Sequence, residues 1–366
     1  MTVAQIDPVL ERILDDARWA PSGDNAQPWR FEIRSATEVI VHLNYENLSV
    51  YEFRDAEPVR LSGGMLLESM RIAASAQGRT ASWQIEAGDR PSRITVHFFP
   101  SHEVIADPLY RHLRERSVNR WPYTPHEQRP LQPEERAALD AALGDTLAIA
   151  WYCTAEERRR FANLSALATA VRLSTPETFV THQGIIDWEQ KLSPTKIPAC
   201  ALGLDRPTLM GMRLGMKSWQ LTRLMNRLGG ITMAAGQMDH KPINGSAAVF
   251  AIHLRASGLP LDARASAVIE AGRCIQRFWL IATSLGLAMQ PALAVLIFAD
   301  YGEQEIKFTG DAGPLRQAAA LATGFKTFFQ KGTSDFVFMG RIGKPAAAQP
   351  ACRSVRRPLA ELVVAG

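Results

Sequence analysis

The sequence predicts an α+β protein in which one structural unit occurs twice. Segments with helical periodicity and short apolar segments typical of β-strands occur along the whole 366-residue chain. Two of the helical segments share one spacing of residues, which starts at Gly64 in the first and at Gly272 in the second. The shared offsets are occupied by Leu67, Met70, Ile72, Ala74 and Gly78, and by Ile275, Phe278, Leu280, Ala282 and Gly286. Because each copy is followed by a strand-like segment, we favour an internal duplication over a chance similarity of two buried helices.

The helices are predicted from apolar residues that recur on one face. Such a face is formed within residues 6–19 by Ile6, Val9, Leu10, Ile13, Leu14 and Ala17. Similar patterns predict helices over 61–77, 132–143, 155–172 and 265–287. Apolar runs typical of strands occur over 31–34, 39–44, 94–99, 147–153, 247–254 and 293–298. The methionine-rich region 173–245 is predicted to be irregular.

Composition and charge exclude several classes of protein. Hydrophobic residues make up 46% of the chain and charged residues 21%, as in an ordinary globular protein. The net charge of +4 is small for this length, so no nucleic-acid partner is predicted. Four cysteines without CxxC or Cys/His spacing predict reduced, packed thiols, with no disulfide framework and no metal site: Cys153, Cys200, Cys274 and Cys352.

The chain is predicted to be cytoplasmic and to have no membrane partner. Its first residues carry acidic side chains inside an apolar pattern, which predicts an amphipathic helix and not a signal peptide. Residues 278–299 contain no charged residue and are long enough to span a bilayer. Pro291 divides this stretch, however, so a buried helix, a turn and a strand over 293–298 explain it better than a transmembrane helix.

The first segment with chemical potential is the turn PSGDNAQPW over 21–29. Ser22, Gly23, Asp24 and Asn25 are turn formers that expose backbone donors and short polar side chains. The alternative is a plain helix–turn–strand connection in which Trp29 only packs.

The second segment is LRERSVNRWPYTP over 113–125. Its guanidinium groups and hydroxyl suit a phosphate: Arg114, Arg116, Ser117 and Arg120. The alternative is a solvated basic loop. The chain has no GxGxxG after a strand and no GxxxxGK[ST], which excludes the usual nucleotide phosphate cradles. It also has no GxSxG or HExxH, which argues against the commonest hydrolases.

Together these segments resemble the nitroreductase family of FMN-binding flavoproteins. Members of that family carry an Arg-Ser-x-Arg signature, a Pro-Ser-x-x-Asn-x-Gln-Pro-Trp turn, a Gly-rich helix that ends in Gly-Leu, a Gly-x-Pro stretch and a basic tail. The matching stretches here are PSGDNAQPW (21–29), RSVNR (116–120), GRCIQRFWLIATSLGLAMQP (272–291), GRIGKP (340–345) and RSVRRPLAEL (353–362).

The order of these motifs departs from the family pattern. Here the turn precedes the Arg-Ser signature by roughly ninety residues, whereas it follows that signature in single-repeat members. The resemblance is therefore to the two-repeat branch, described as Acg-like or MoeY-like. It implies a nitroreductase-like fold of two fused repeats, 1–110 and 111–366, which form a pseudo-dimer of antiparallel-rich sheets flanked by helices. One repeat would supply the turn and the other the arginines of a single flavin site.

The resemblance also implies roles for individual residues. Arg116, Ser117 and Arg120 would hold the phosphate and ribityl groups of FMN. The isoalloxazine ring would be lined by Pro21, Ser22, Gly23 and Asn25. Backbone near the reactive edge would come from Pro291 and Ala292, and the phosphate would be closed by Arg356 or Arg357. No catalytic acid or base is assigned; His182, Asp187 and Glu189 are candidates, and structural polar residues are the alternative.

The expected function is that of an FMN-dependent oxidoreductase acting on a small organic substrate, with NAD(P)H as a candidate electron donor. The flavin would perform the electron transfer while the protein binds and orients. The alternatives are a low-turnover FMN-binding or storage protein, and an FMN oxidase or dehydrogenase in a biosynthetic pathway. Fusion of the repeats would allow a monomer to hold flavin, although a homodimer is compatible with it. The region near 173–245 is a candidate lid over the flavin.

Overall fold

A computed structural model describes residues 6–46, 48–125, 129–346 and 351–365. Its α-helices are α1 Pro8–Ala17, α2 Phe53–Ser75, α3 Pro133–Ala141, α4 Ala155–Ser174, α5 Pro176–Ile185, α6 Arg206–Gly215, α7 Trp219–Met225, α8 Ile231–Ala235, α9 Lys241–Asn244, α10 Leu261–Ser284, α11 Leu293–Glu303, α12 Ala312–Phe329 and α13 Leu359–Leu362. Its strands are β1 Trp29–Ile33, β2 Glu38–Leu43, β3 Arg79–Ile85, β4 Arg93–Pro100, β5 Leu147–Tyr152, β6 Ile186–Asp187, β7 Leu192–Ser193, β8 Ile197–Pro198, β9 Ala248–Leu254, β10 Ala288–Pro291, β11 Phe336–Gly343, β12 Arg353–Ser354 and β13 Val363–Val364. The predicted mixture of helices and sheets is confirmed.

The two larger sheets have the same internal order. The first runs β13-β1-β2-β4-β3 and the second runs β5-β9-β11-β10. All neighbouring strands are antiparallel except β13 and β1, which are parallel. In each sheet a long helix, α2 or α10, joins the second strand to the outermost one. The series β1-β2-α2-β3-β4 therefore has the same topology as β5-β9-α10-β10-β11, apart from long insertions in the second.

Helices α2 and α10 cross at the two glycines of the shared spacing. A Cβ atom at Gly64 would lie 1.8 Å from the carbonyl oxygen of Ile269, and one at Gly272 would lie 2.1 Å from that of Leu61. Each contact thus joins one glycine to the carbonyl three residues before the other, so the crossing is reciprocal. The two glycines that begin the shared spacing are thus the residues at which the backbones of α2 and α10 touch. The boundary between repeats 1–110 and 111–366 stays a prediction.

Three apolar cores hold these layers together. The first lies between the first sheet and helices α1 and α2, the second between the second sheet and α10, and the third among α4, α11 and α12. Their fully buried aromatic side chains include Trp29, Phe31 and Phe98, then Phe250 and Phe278, then Phe161, Phe298 and Phe325. Trp29 packs in the core, as the plain interpretation of its segment predicts.

The end of the chain returns to the first sheet. Strand β13 pairs with β1, with Val363 opposite Phe31, and β12 pairs with β7. This return places the basic tail 353–357 beside the turn 21–27, where Arg356 Nε donates to the carbonyl of Ala20 at 2.9 Å. Two segments more than three hundred residues apart thereby form one surface.

Two predicted elements are wrong. The segment 293–298 is helical and belongs to α11, and the strand in this stretch is β10. A continuous apolar run has no periodicity that separates a buried strand from a buried helix. The region 173–245 is not irregular, because it contains α5 to α9 and two π-helical turns. Each of those helices has ten residues or fewer, too few to show a clear period. The other predicted helices and strands are confirmed, although the sequence pattern does not predict β3, β11 or α12.

The prediction of reduced cysteines is wrong for one pair. Cys200 and Cys352 form a disulfide across 152 residues of sequence, with their Cα atoms 6.2 Å apart. Cys153 and Cys274 have free thiols. The pairing depends on the return of the tail, so the spacing of cysteines does not reveal it. Among the described residues, no helix has the length and apolarity needed to cross a bilayer.

Candidate functional site

A cavity of about 250 Å³ lies where the turn, the RSVNR loop and the tail meet; we call it the arginine cavity. Its lining includes most of the residues proposed from the sequence: Pro21, Ser22, Gly23, Asn25, Arg116, Ser117, Arg120, Pro291 and Arg356. Apolar side chains complete the wall, among them Leu61, Met65, Trp279, Leu293 and Phe338. Motifs from both ends and the middle of the chain therefore share one cavity.

The turn is held in an unusual backbone conformation. Asp24, Asn25 and Gln27 have φ angles of 49°, 62° and 52°, a region that residues other than glycine rarely adopt. The hydroxyl of Ser22 accepts a hydrogen bond from the Gln27 amide at 2.9 Å. The buried side chain of Gln27 donates to the carbonyls of Asn25 and Pro194, at 2.9 and 2.8 Å, and accepts from a tail amide. Surrounding segments thus maintain the strain, as is common at functional sites.

Asn25 is engaged with the tail and with the segment before it. Its Nδ2 donates to the carbonyl of Val355 at 3.1 Å, and its Oδ1 accepts from Nη1 of Arg356 at 2.8 Å. The same amide lies 3.4 Å from the carbonyl oxygens of Ser193 and Lys196. Asn25 therefore positions Arg356, and its polar atoms already have protein partners.

Three residues of the arginine cavity have guanidinium groups near enough to influence one another electrostatically: Arg116, Arg353 and Arg356. Their protein hydrogen bonds go to neutral oxygens. Arg116 Nη2 donates to the Trp19 carbonyl at 3.0 Å, and Arg353 Nη2 donates to the Arg114 carbonyl at 2.7 Å. The Nε atoms of Arg116 and Arg353 are buried and have no hydrogen-bond partner. None of the three forms an ion pair with a carboxylate in the described part of the chain.

The electrostatics of this cluster favour an anion. Burial lowers the pKa of Arg116 well below its ordinary value, and the nearby charges of Arg356 and Arg353 add to the effect. Burial likewise lowers the pKa of Arg356 to about 9, again with a contribution from Arg353. Three like charges that are desolvated and lack a counter-ion raise the free energy of the protein. A bound anion would remove that cost.

Arg120 lies in a different environment from Arg116. Its charged neighbours are Asp24, Arg172 and Arg341, whereas those of Arg116 are the tail arginines. Burial lowers the pKa of Arg120 to about 10, and its side chain has no hydrogen bond to any described residue. Arg116 and Arg120 therefore line the same cavity but differ in their charged neighbours.

Two residues proposed from the sequence lie outside the lining. The amide of Ala292 donates to the Met339 carbonyl at 2.9 Å, so it is not available to a ligand. The side chain of Arg357 pairs with Glu361 at 3.2 Å instead of entering the cavity. Of the two tail arginines that were proposed, the structure favours Arg356.

Arg353 is the residue that sequence reasoning missed. A signal for it exists, because the string RSVNR at 116–120 is matched by RSVRR at 353–357. Each string places an arginine at its first position, and both of these side chains enter the arginine cavity.

A second cavity, of about 310 Å³, adjoins the first; we call it the methionine cavity. The two share lining residues, among them Gly23, Asp24, Arg120 and Leu293. His182 lines the methionine cavity, and its Nε2 lies 2.8 Å from the hydroxyl of Tyr51. Burial lowers the pKa of His182 to about 3, so the ring is neutral at ordinary pH.

The other two candidates from the THQGIIDWE segment have structural partners. Asp187 accepts hydrogen bonds from the amides of Glu189 and Gln190, at 3.1 and 3.0 Å, and from the hydroxyl of Ser193 at 2.7 Å. Glu189 pairs with Arg213 on the surface at 2.5 Å. Neither lines the two cavities.

The fold and the site define an α+β protein in which a cavity lined by four arginines adjoins a larger apolar one. No model of a known protein family matches the chain. It is 25% identical, over 301 residues, to the uncharacterized protein MT1398 of Mycobacterium tuberculosis (strain CDC 1551 / Oshkosh); the match covers 81% of this chain and 40% of that protein. The chain thus spans about two fifths of the length of this relative.

Two solved structures resemble the chain weakly. One is the FMN-dependent nitroreductase NfnB from Mycobacterium smegmatis in complex with NADPH, with 14% identity, a TM-score of 0.35, and coverage of 69% of this chain and 94% of that one. The other is a nitroreductase-like family protein from Bacillus cereus, with 12% identity, a TM-score of 0.35, and coverage of 70% and 94%.

Proposed function

We propose that this protein is an FMN-dependent oxidoreductase with a nitroreductase-like fold and one flavin site, the arginine cavity. The main support is the cluster of Arg116, Arg353 and Arg356, which combines buried positive charge with two unpartnered Nε donors. A phosphate monoester carries about −1.5 to −2 charges and three strong acceptor oxygens, which match that cluster. These residues fit the phosphate of FMN.

The remaining lining fits the other parts of the cofactor. Ser117 lies in the wall and would offer its hydroxyl to the ribityl chain, and Phe338 and Leu293 would offer apolar surface to the ring. The Trp279 ring lies under the Arg116 guanidinium, whose carbon is 4.7 Å from the ring centre, and so belongs to the phosphate end. When bound, the flavin would supply the electron transfer. The protein's own residues would bind and orient it, and the turn 21–25 would line the edge that both cavities share. A small organic substrate would enter through the methionine cavity, with NAD(P)H as the candidate electron donor.

The equal topology of the two sheets supports the proposed pseudo-dimer of repeats. The first unit contributes the turn, and the second contributes the RSVNR loop and the tail. We therefore expect one FMN per chain and a monomer able to hold it, although a homodimer is compatible with the proposal. The two-repeat Acg-like or MoeY-like branch remains the proposed family. The cytoplasmic location also stays a proposal, and the disulfide is more typical of oxidising compartments.

A low-turnover FMN-binding protein is the second candidate function. The observation that favours it is that the tail is linked to the segment 193–200 by the hydrogen bonds of Asn25 and by the disulfide from Cys200 to Cys352. A tail fixed in this way would slow exchange of the cofactor, because it carries Arg353 and Arg356. The methionine-rich helices would also restrict which molecules reach it.

Titration of the apoprotein with FMN and with riboflavin tests the proposal. We expect one FMN to bind per chain, ten- to a hundredfold more tightly than riboflavin, because riboflavin lacks the phosphate. No flavin binding, or equal affinities for both, would refute the assignment of the arginine cluster. Anaerobic mixing of the loaded protein with NADH and NADPH then separates the two functions: rapid bleaching supports the reductase, and unchanged flavin supports the binding protein.

A further inference from the structure

The methionine cavity has an apolar wall built from the inserted segment 182–238. Its sulfur-containing side chains are Met212, Met216, Met225, Met233 and Met238. Methionine is flexible and polarizable, so such a wall adapts to apolar molecules of different shape. The cavity is comparable in size with known small-molecule sites, which begin at about 300 Å³.

Besides Tyr51 and His182, the polar part of this cavity contains two carboxyl groups and two guanidinium groups: Asp24, Glu52, Arg120 and Arg172. None of them forms an ion pair within the described residues. Arg172 Nη2 has only weak contacts, with the Thr169 hydroxyl at 3.3 Å and the Met238 sulfur at 3.8 Å. The Nε of Arg172 and the Oε2 of Glu52 are buried without any partner.

The guanidinium groups of Arg120 and Arg172 keep hydrogen-bond donors that no described residue accepts. A carboxyl group can take up a proton when it is buried, but a guanidinium stays charged at neutral pH. Burial and the nearby Asp24 raise the pKa of Glu52 to about 7, and burial raises the pKa of Asp24 as well. Burial also raises the pKa of Asp239, a further carboxyl near Arg172, which bonds to the Ser165 hydroxyl at 2.6 Å. The two arginines therefore present free donors and a permanent charge to the cavity, beside carboxyl groups whose charged form burial disfavours.

We propose that the methionine cavity binds an amphipathic acid, a carboxylate attached to an apolar chain or ring, with Arg120 and Arg172 holding the carboxylate. The methionines would surround the apolar body. The acid would lie beside Gly23 and Asp24, which both cavities share. The role of this acid as substrate rests on the proposed flavin function, whereas its binding does not.

The test is equilibrium binding of three probes with the same ten-carbon chain: decanoate, decanol and decyltrimethylammonium. We expect the full-length protein to bind decanoate at least tenfold more tightly than decanol, and to bind the cation no better than the alcohol. A preference for the cation would overturn the proposal, because it would assign recognition to Glu52 and Asp24. Equal binding of decanoate and decanol would also overturn it.

Variants of two arginines on α4 localise the effect. Arg172→Met should lower decanoate affinity ten- to a hundredfold and leave decanol affinity unchanged. Arg172→Lys should lower decanoate affinity by less, because it keeps the positive charge. Arg159→Met is the matched control, because that side chain is 66% exposed and pairs with Glu156 at the surface. Unchanged decanoate affinity in folded Arg172→Met, verified by its melting temperature, would refute the assignment.

FMN binding in the same samples separates this inference from the proposed function. If decanoate binds in an Arg172-dependent manner but FMN does not bind, the acid site stands and the flavin proposal fails. If FMN binds but the protein binds decanoate and decanol equally, the proposal of the acid site fails and the flavin proposal stands.

Discussion

Replacing Arg353 with methionine tests the anion site most directly. This arginine comes from the tail, and its side chain donates one hydrogen bond, to the Arg114 carbonyl at 2.7 Å. Its guanidinium also lies 5.2 Å from the ring centre of Trp19. Methionine keeps an unbranched apolar stem but removes the charge and the donors. If Arg353 serves a phosphate, its loss should change ligand binding much more than it changes folding.

The expected magnitudes follow from these contacts. A lost hydrogen bond to a charged phosphate costs about 1.5–3 kcal/mol, which lowers FMN affinity about ten- to a hundredfold. In the apoprotein, the lost carbonyl bond costs about 1 kcal/mol and the lost contact with Trp19 about 0.5–1 kcal/mol. Removing the buried unpartnered Nε and the repulsion from Arg116 and Arg356 offsets these losses by a similar amount. The free energy of unfolding of the apoprotein should therefore change by less than about 1 kcal/mol.

The assay combines flavin titration with urea unfolding of the apoprotein. Arg114→Met is the matched control, because Arg114 also lies over Trp19, at 5.8 Å, but pairs with Asp15 and Asp16 at 2.5 and 2.6 Å. We expect Arg353→Met to weaken FMN and spare riboflavin, and Arg114→Met to leave their affinity ratio unchanged. Equal losses for both flavins, or a loss of stability above about 3 kcal/mol with unchanged FMN selectivity, would contradict this reasoning.

Three further predictions concern pH, packing and the disulfide. Because burial raises the pKa of Glu52 from 4.5 to about 7, the folded protein holds a proton that the unfolded chain loses as the pH rises. The free energy of unfolding, measured by urea titration, should therefore fall by about 1–3 kcal/mol between pH 5 and 7, and Glu52→Gln should not show this fall. Gly64→Ala should lower the free energy of chemical unfolding by at least about 2 kcal/mol, because its Cβ would overlap a backbone carbonyl of α10. Gly313→Ala is the control and should leave the free energy of unfolding unchanged, because no atom lies within 4 Å of the added Cβ. A reductant should lower the melting temperature of the wild-type protein but not that of Cys200→Ser, because the disulfide with Cys352 stabilises the fold by about 2–4 kcal/mol. An equal response of the wild-type protein and the variant would show that these cysteines are reduced.

The parts of the site that are encoded locally could be predicted from the sequence. Ser22 to Asn25 are turn formers in consecutive positions, and Arg116 and Ser117 are adjacent, so each group is recognisable without knowledge of the fold. The structure brings both groups to the arginine cavity. The crossing of α2 and α10 was predictable in the same way, because small residues recur at fixed offsets.

The remaining features depend on tertiary contacts. The RSVRR string at 353–357 matches RSVNR at 116–120, but it does not indicate that Arg353 will lie beside Arg116, because β13 must first pair with β1. Arg172 resembles any other helical arginine until helix α4 packs and leaves its Nε without a partner. The misassigned strand over 293–298 has a related cause: a fully apolar segment has no polar face, so only its surroundings determine whether it becomes a helix or a strand.

The proposed anion site therefore depends on the return of the tail to the first sheet and not on a single motif. Arg116 belongs to the loop that follows the first unit, whereas Arg353 and Arg356 belong to the tail. The tail is held by β13 on the first sheet, by Asn25 and by the disulfide at Cys352. Each of these anchors keeps like charges together, and a bound anion would lower the free-energy cost of that arrangement. It follows that a phosphate-bearing ligand should stabilise the tail as well as bind to it, because the two equilibria share the same three guanidinium groups.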